Sequence, residues 1–198
     1  MVLKVYGSPA SICTKRVALV LHEKKVSFEL HVIDLAKGEN KSPEYLSKQP
    51  FGQIPYIDDD GFILYESRAI AAYIAAKYPE QGTRGLIPKP KRFSSRPRPL
   101  SSPTSMMFDM TTNQAVVDDQ VGQLAARLDV YDQILSKQKY VAGNELTLAD
   151  LYHLPYASLL GAAGSDVLEK RPNFLRWYKV ISSRASWQAI KDGVKGTA

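Results

Sequence analysis

The spacing of apolar positions divides this chain into three stretches. In the first, residues 2–7 (VLKVYG) read as a strand ending at Gly7. Residues 27–33 (SFELHVI) set Phe28, Leu30 and Val32 against polar neighbours, the period-two pattern of a half-buried strand. Between them, residues 11–24 predict a helix, with Ser11 as N-cap and the apolar stretch Val17–Leu21 ahead of the charged cluster His22–Lys25. Ser42 followed by Pro43 and Glu44 opens a short helix to Lys48, because proline is tolerated at the first helical position. Ile54–Ile57 and Phe62–Tyr65 flank the acidic glycine turn Asp58–Gly61 and predict a hairpin. From Ser67, Ile70 and Ile74 recur at helical spacing as far as Tyr78, before Pro79. This first stretch therefore reads β-α-β-α-β-β-α.

The second stretch, Lys89 to about Thr112, is rich in Pro, Ser and Arg and holds neither period, so it reads as irregular. The third is helical throughout. Val117, Val121, Leu124, Leu128, Tyr131 and Leu135 step by four, three, four, three and four, which draws one amphipathic stripe. Thr147 with Asp150 three residues on is a variant capping box opening a helix through Leu148, Leu151, Tyr152 and Leu159, which Pro155 should kink. Pro172 starts another helix (Phe174, Trp177, Tyr178, Ile181), and a short one around Trp187–Ile190 follows. These stretches predict a first domain over 1–80, a linker and irregular basic segment over 81–112, and an α-helical domain over 113–198.

The composition is ordinary for a globular chain: 198 residues, 44% hydrophobic and 23% charged. A single cysteine excludes a disulfide framework and a cysteine cluster for structural zinc. His22, His31 and His153 are scattered, so no metal is expected. The start MVLKVYGS lacks a basic region followed by a long apolar one, and no apolar run approaches the ~18 residues of a membrane span. A reduced, cytoplasmic protein without membrane contact is the expectation. The formal charge of +6 has a local origin. Between Gln81 and Phe108 stand Arg84, Lys89, Lys91, Arg92, Arg96 and Arg98 with no acid, and outside that span bases and acids balance. The sequence pI of 9.3 thus describes one tract and not a basic fold. Nucleic acid is not the expected partner, because Phe93 alone interleaves the basic residues and base stacking needs more aromatic surface.

Three places could carry chemistry, and each also has a plain structural explanation. Ser11 sits where the first helix opens after the first strand, a point that favours anions through free N–H groups and the helix dipole; as a simple N-cap it would contribute about 1 kcal/mol. Pro55, in Pro50-Phe-Gly-Gln53-Ile54-Pro55, could mark a cis bond that frees the Ile54 backbone to pair with an extended peptide; otherwise it is an edge-strand proline. Tyr65-Glu66-Ser67-Arg68 joins the hairpin to a helix start, where Ser67 could hold a carboxylate and Glu66 an ammonium; otherwise it is a cap.

Taken together, GSPASICTKRV, KGENKSPEYL, QPFGQIPYIDDDG and YESRAIAAYIAAKYP resemble the thioredoxin-like domain of a glutathione transferase, nearest to the Ser-type, phi-like class of plants and fungi. YVAGNELTLADLYHLPY resembles the capped helix of that family's all-α C-terminal domain. The resemblance covers 1–88 and about 115–190 and is absent over about 89–112. It implies glutathione as co-substrate, small electrophiles as second substrates, no metal, a homodimer and a role in detoxification. It makes Ser11 the catalytic hydroxyl that stabilises the glutathione thiolate and places Ile12 beside the electrophile pocket. Asn40 and Lys41 would hold the glycyl carboxylate. Gln53 and the Ile54 backbone before cis-Pro55 would grip the cysteinyl unit. Glu66 and Ser67 would bind the γ-glutamyl end. Many relatives carry His where this chain has Asn40, and Asn still donates a hydrogen bond, so weaker binding is expected there. Cys13, two residues into the helix, is expected to point partly away from the site as a small packing residue, with a redox role as the rival reading.

The resemblance also implies a long helix where the irregular segment stands, lining the electrophile pocket and much of the dimer contact. The abrupt change of composition there suggests an altered reading frame, an alternative splice or a misplaced exon boundary, with a natural disordered segment of a family member as the other reading. Two function classes follow: an active glutathione transferase, or a glutathione-binding isoform that lacks a complete electrophile pocket and does not catalyse.

Overall fold

A computed structural model describes residues 2–88, 114–162 and 166–198. The segment 89–112, expected to be irregular and to replace a helix, lies outside the described residues. The first part runs β1 (Leu3–Gly7), α1 (Ile12–Lys24), β2 (Phe28–Val32), a 3-10 turn (Glu39–Lys41), α2 (Pro43–Leu46), β3 (Tyr56–Asp59), β4 (Phe62–Tyr65) and α3 (Ser67–Lys77). The sheet order is β2-β1-β3-β4. β1 pairs in parallel with β2, Val5 opposite Leu30, and antiparallel with β3, Val5 opposite Ile57. The element order is the β-α-β-α-β-β-α that the pattern predicts, and the mixed sheet with its helices is the thioredoxin-like arrangement that the resemblance implies.

Local chemistry explains the joints. Ser11 caps α1, its Oγ accepting the Thr14 N–H at 3.4 Å. Ser42 caps α2 in the same way through the Tyr45 N–H, with Pro43 in the first turn. The hairpin turns on Asp60 and Gly61, both at positive φ, the backbone that a two-residue hairpin loop demands. β3 begins at Tyr56 and not at Ile54, because Pro55 has no N–H for the ladder. β2 lies at the sheet's edge, so the alternation that the sequence suggests is lost at its far end: Val32 is 59% exposed. Val17 through Leu21 are all fully buried, so this turn of α1 has no solvent face. α1 packs against α3 on one side and against the second half of the chain on the other.

That second half is helical: α4 (Gln114–Leu135), α5 (Leu148–Leu151), α6 (Leu154–Ala162), α7 (Pro172–Ser182) and α8 (Ala185–Gln188). The α4 stripe is buried at Leu128 and Leu135, while Val121 is exposed. The single kinked helix expected across Pro155 is instead two helices. Pro155 cannot donate to the Leu151 carbonyl, and the helix breaks at Tyr152–His153 and restarts at Leu154. Asp150 completes the capping box, its Oδ2 accepting the Thr147 N–H at 2.9 Å and hydroxyl at 3.0 Å. Its Oδ1 accepts from the Val141 N–H at 2.8 Å and the Trp177 indole at 2.9 Å.

The halves are joined by a buried carboxylate. Glu23 of α1 accepts two hydrogen bonds from Arg184, at 2.6 and 2.7 Å, and one each from Thr83 and Ser186. Burial alone would push the Glu23 carboxyl up; these bonds and the Arg184 charge outweigh it and hold the group below the ordinary range. The C-terminal end also returns to the sheet, where the Thr197 N–H donates to the Phe28 carbonyl at 2.8 Å.

Candidate active site

The end of β1, the start of α1, the approach to β3 and the start of α3 meet at one end of the sheet. Cys13, Gln49, Gln53, Ile54, Pro55, Glu66 and Ser67 line an open cleft there. Five of the nominated site residues, Gln53, Ile54, Pro55, Glu66 and Ser67, are thus neighbours across more than ten residues of sequence. Ser11 stands at the α1 N-terminus, half-buried, next to Ile12, and Cys13 carries the same helix turn to the cleft wall. The cap bond uses a lone pair of Ser11 Oγ and leaves its hydroxyl proton available.

The Ile54–Pro55 peptide bond is cis. Among the described residues, no group pairs with the Ile54 N–H or carbonyl. The loop before it is fixed from two sides. The Tyr45 hydroxyl donates to the Gln53 carbonyl at 2.7 Å, and the buried Gln49 side chain accepts the Gln53 N–H at 3.1 Å. Burial first, then the neighbouring Tyr6, Asp58 and Glu44, push the Tyr56 phenol behind this loop up to about 12.

Ser11, Ile12, Asn40 and Lys41 are not among the residues that line the cleft. Asn40 Nδ2 donates to the Gly52 carbonyl at 2.7 Å and Lys41 Nζ to the Phe51 carbonyl at 3.2 Å. Both hold the Phe51–Gln53 loop from outside, and Lys41 is exposed beyond it. Gly52 is required there: its φ is +59°, and a Cβ would stand 2.5 Å from Lys41 Nζ. At the α3 start Glu66 holds a φ of 69°, a left-handed backbone rare for a residue with a side chain. This bend places the Glu66 carboxylate and the first free N–H groups of α3 at the same corner.

The structure adds three residues to those that the resemblance implies for the site. Gln49 supports the loop. Cys13 is half-buried and lines the cleft, against the expectation that it turns away into packing. Arg16, one turn further along α1, is 3% exposed and donates to Ser67 Oγ at 2.6 Å and to Cys13 Sγ at 3.7 Å. Its signal in the sequence is a charge set between Cys13 and the fully apolar Val17–Leu21. Among the described residues, no three of His, Cys, Asp and Glu gather as a metal site would need.

Two family models match this chain: "Glutathione S-transferase, N-terminal domain" over residues 1–76 and "Glutathione S-transferase, C-terminal domain" over 87–185. Glutathione S-transferase hmp2 of Hypomyces subiculosus is 39% identical over 94% of this chain and 96% of its own length. The crystal structure of poplar glutathione transferase F1 superposes with a TM-score of 0.86 at 33% identity, covering 97% of both chains. Glutathione S-transferase I from mais, solved in complex with an atrazine glutathione conjugate, gives a TM-score of 0.83 at 30% identity over 97% of both chains. With both halves matched in order, and with the cleft at the sheet end built from the same stretches that resemble it, the chain belongs to the glutathione S-transferase family.

Proposed function

We propose that this chain conjugates the glutathione thiolate to small electrophiles, with Ser11 as the hydroxyl that stabilises the thiolate. The convergence of Gln53, Ile54, Glu66 and Ser67 on one cleft beside the capped start of α1 carries this reading. The donor set suits a γ-glutamyl peptide. The unpaired Ile54 N–H and carbonyl match the cysteinyl backbone, and Gln53 lies alongside. Ser67 and the α3 N-terminus face a carboxylate, and Glu66 an ammonium. Asn40 and Lys41 take the glycyl carboxylate if their bonds to the Phe51 and Gly52 carbonyls are exchanged or shared.

The energetics need no metal or general base. A free thiol has a pKa of about 8.5, so a small fraction is thiolate near neutrality. Lowering it about two units takes about 2.7 kcal/mol. A hydroxyl donating to an anion contributes about 1.5–3 kcal/mol. The helix start adds about 0.3–1 kcal/mol. The thiolate then attacks by substitution or addition, and Ile12 beside Ser11 faces the incoming electrophile.

A cytoplasmic location, a homodimer and a role in detoxification belong to the same proposal and rest on the family's character, as do domain limits at 80 and 113. The test is glutathione-dependent turnover of a generic aryl halide, with glutathione binding and mass in solution measured on the same sample. Turnover that needs glutathione supports the reading. Binding without turnover gives the alternative, an isoform that holds glutathione and does not catalyse.

A further inference from the structure

We propose that Arg16 is a positioning residue for the γ-glutamyl carboxylate, acting through the Ser67 hydroxyl. The inference rests on the reading of the cleft as a glutathione site. A guanidinium carries donors only, so at 2.6 Å from Arg16 Nη1 the Ser67 oxygen accepts. The Ser67 proton is then directed away from Arg16, and among the described residues nothing accepts it. Ser67 is also the first residue of α3, where N–H groups are free and the helix end is partly positive. A hydroxyl proton with a cation behind it and a helix start beside it suits a carboxylate and repels an ammonium. The ammonium of the same amino-acid end is left to Glu66, the adjacent residue on the cleft wall. Arg16 thereby sets which way round the γ-glutamyl end lies.

The environment of Arg16 points to an anion from outside the chain. It is a buried cation with no carboxylate partner among the described residues, and its Nε and Nη2 atoms are buried without a hydrogen bond. Burial of a charge without a counter-ion is costly. The helical half covers it with two aromatic rings, whose centroids lie 5.2 Å (Tyr156) and 5.9 Å (Tyr152) from the guanidinium carbon. Those rings favour the cation but supply no negative charge. A carboxylate on Ser67 would lie one hydroxyl away and complete the pair.

The experiment compares glutathione with the analogue in which 4-aminobutyrate replaces the γ-glutamyl unit, which keeps the amine and lacks the carboxylate. Both are titrated against the wild-type chain, Arg16→Gln, Arg16→Lys, Ser67→Ala and Ser67→Ala with Arg16→Gln. Wild type should prefer glutathione by about ten-fold or more, the scale of a hydrogen bond to a charged group. Arg16→Gln should weaken glutathione by about ten-fold and leave the analogue within about two-fold, with Arg16→Lys between, since Lys keeps the charge without the fork. Turnover should show the loss in KM for glutathione and not in kcat. Arg16→Gln should add little in the Ser67→Ala background, because the two act as one unit. A wild type that binds both ligands equally overturns the reading of the cleft and this proposal with it. A wild type that discriminates, with Arg16 variants that discriminate equally well, overturns the proposal alone. If Arg16→Gln does not fold, Arg16→Lys decides: unchanged discrimination together with a lower kcat would mark Arg16 as structural.

Discussion

In residues 2–88 the groups that can meet a ligand lie at element ends open to the surface: Ser11 at the start of α1, Ile54 before β3, Glu66 and Ser67 at the start of α3. Among the described residues of 114–198, the buried polar groups are satisfied within the fold. Asp150 accepts four hydrogen bonds, and Asp132 accepts both N–H groups of Asn173 and Phe174 at 2.8 and 2.9 Å. Arg171 is taken by Asp129 and by the Val167 and Ala125 carbonyls. His153 Nδ1 donates to the Ala149 carbonyl, so its Nε2 accepts from Tyr131 at 3.0 Å. Burial holds that imidazole neutral by lowering its pKa. The first half keeps buried hubs of its own, Glu23 above all, but the groups left open to a ligand belong to it. The helical half reaches the site through the rings over Arg16, and it holds the far end of α1 through Arg184 on Glu23.

The largest expected effect removes an internal hub. Asp150→Ala strands several buried donors at about 1–3 kcal/mol each, so a loss of about 3 kcal/mol or more is expected. Thermal melting should show it, with the helical half opening first in hydrogen exchange. Exchange that rises equally in β1 and α1 would show that the halves do not differ in this way.

Glu23 tests the joint. Glu23→Gln should destabilise by about 2–3 kcal/mol, the scale of charged hydrogen bonds. Its folded-state pKa is lowered, so its contribution is present above the unfolded value of about 4.3 and is lost as pH falls through the folded value. Denaturant unfolding from pH 6 downwards should therefore lose stability more steeply in the wild type than in the Gln variant. Parallel acid limbs would remove Glu23 as the joint.

On the open half, Ser11→Ala should lower kcat/KM by about ten-fold or more, on the order of 1.5–3 kcal/mol. It should also cost about 1 kcal/mol of stability, because the same oxygen caps α1. Unchanged kcat/KM would move the thiolate donor elsewhere. The smallest effect is Cys13→Ser, within about 0.5 kcal/mol in stability and with conjugation nearly unchanged. Loss of a thiol–disulfide exchange activity in that variant would instead favour a redox role for the cleft's sulfur.

The sequence made the element order of the first half legible because each joint carries its own local chemistry: Ser11, Ser42-Pro43 and Asp60-Gly61 are short-range signals. It misled where the outcome depends on a neighbour. Val32 alternates correctly but faces solvent on an edge strand, and Tyr152–His153 breaks a helix that Pro155 was expected only to kink. The resemblance singles out Gln53, Ile54, Glu66 and Ser67, while their convergence depends on the sheet order. Arg16 is not legible as a site residue, because the partner that gives it a role, Ser67, is 51 residues away. The side that Cys13 takes is not legible either, because helix phase alone does not say where the cleft lies.

The most direct test of the account is the titration of glutathione's own thiol when bound, followed by thiolate absorption in the wild-type and Ser11→Ala complexes. The account predicts a thiol about two units below its free value of about 8.5 in the wild type, with most of that shift gone in the variant. A bound thiol that titrates at the same pH in both complexes would contradict it.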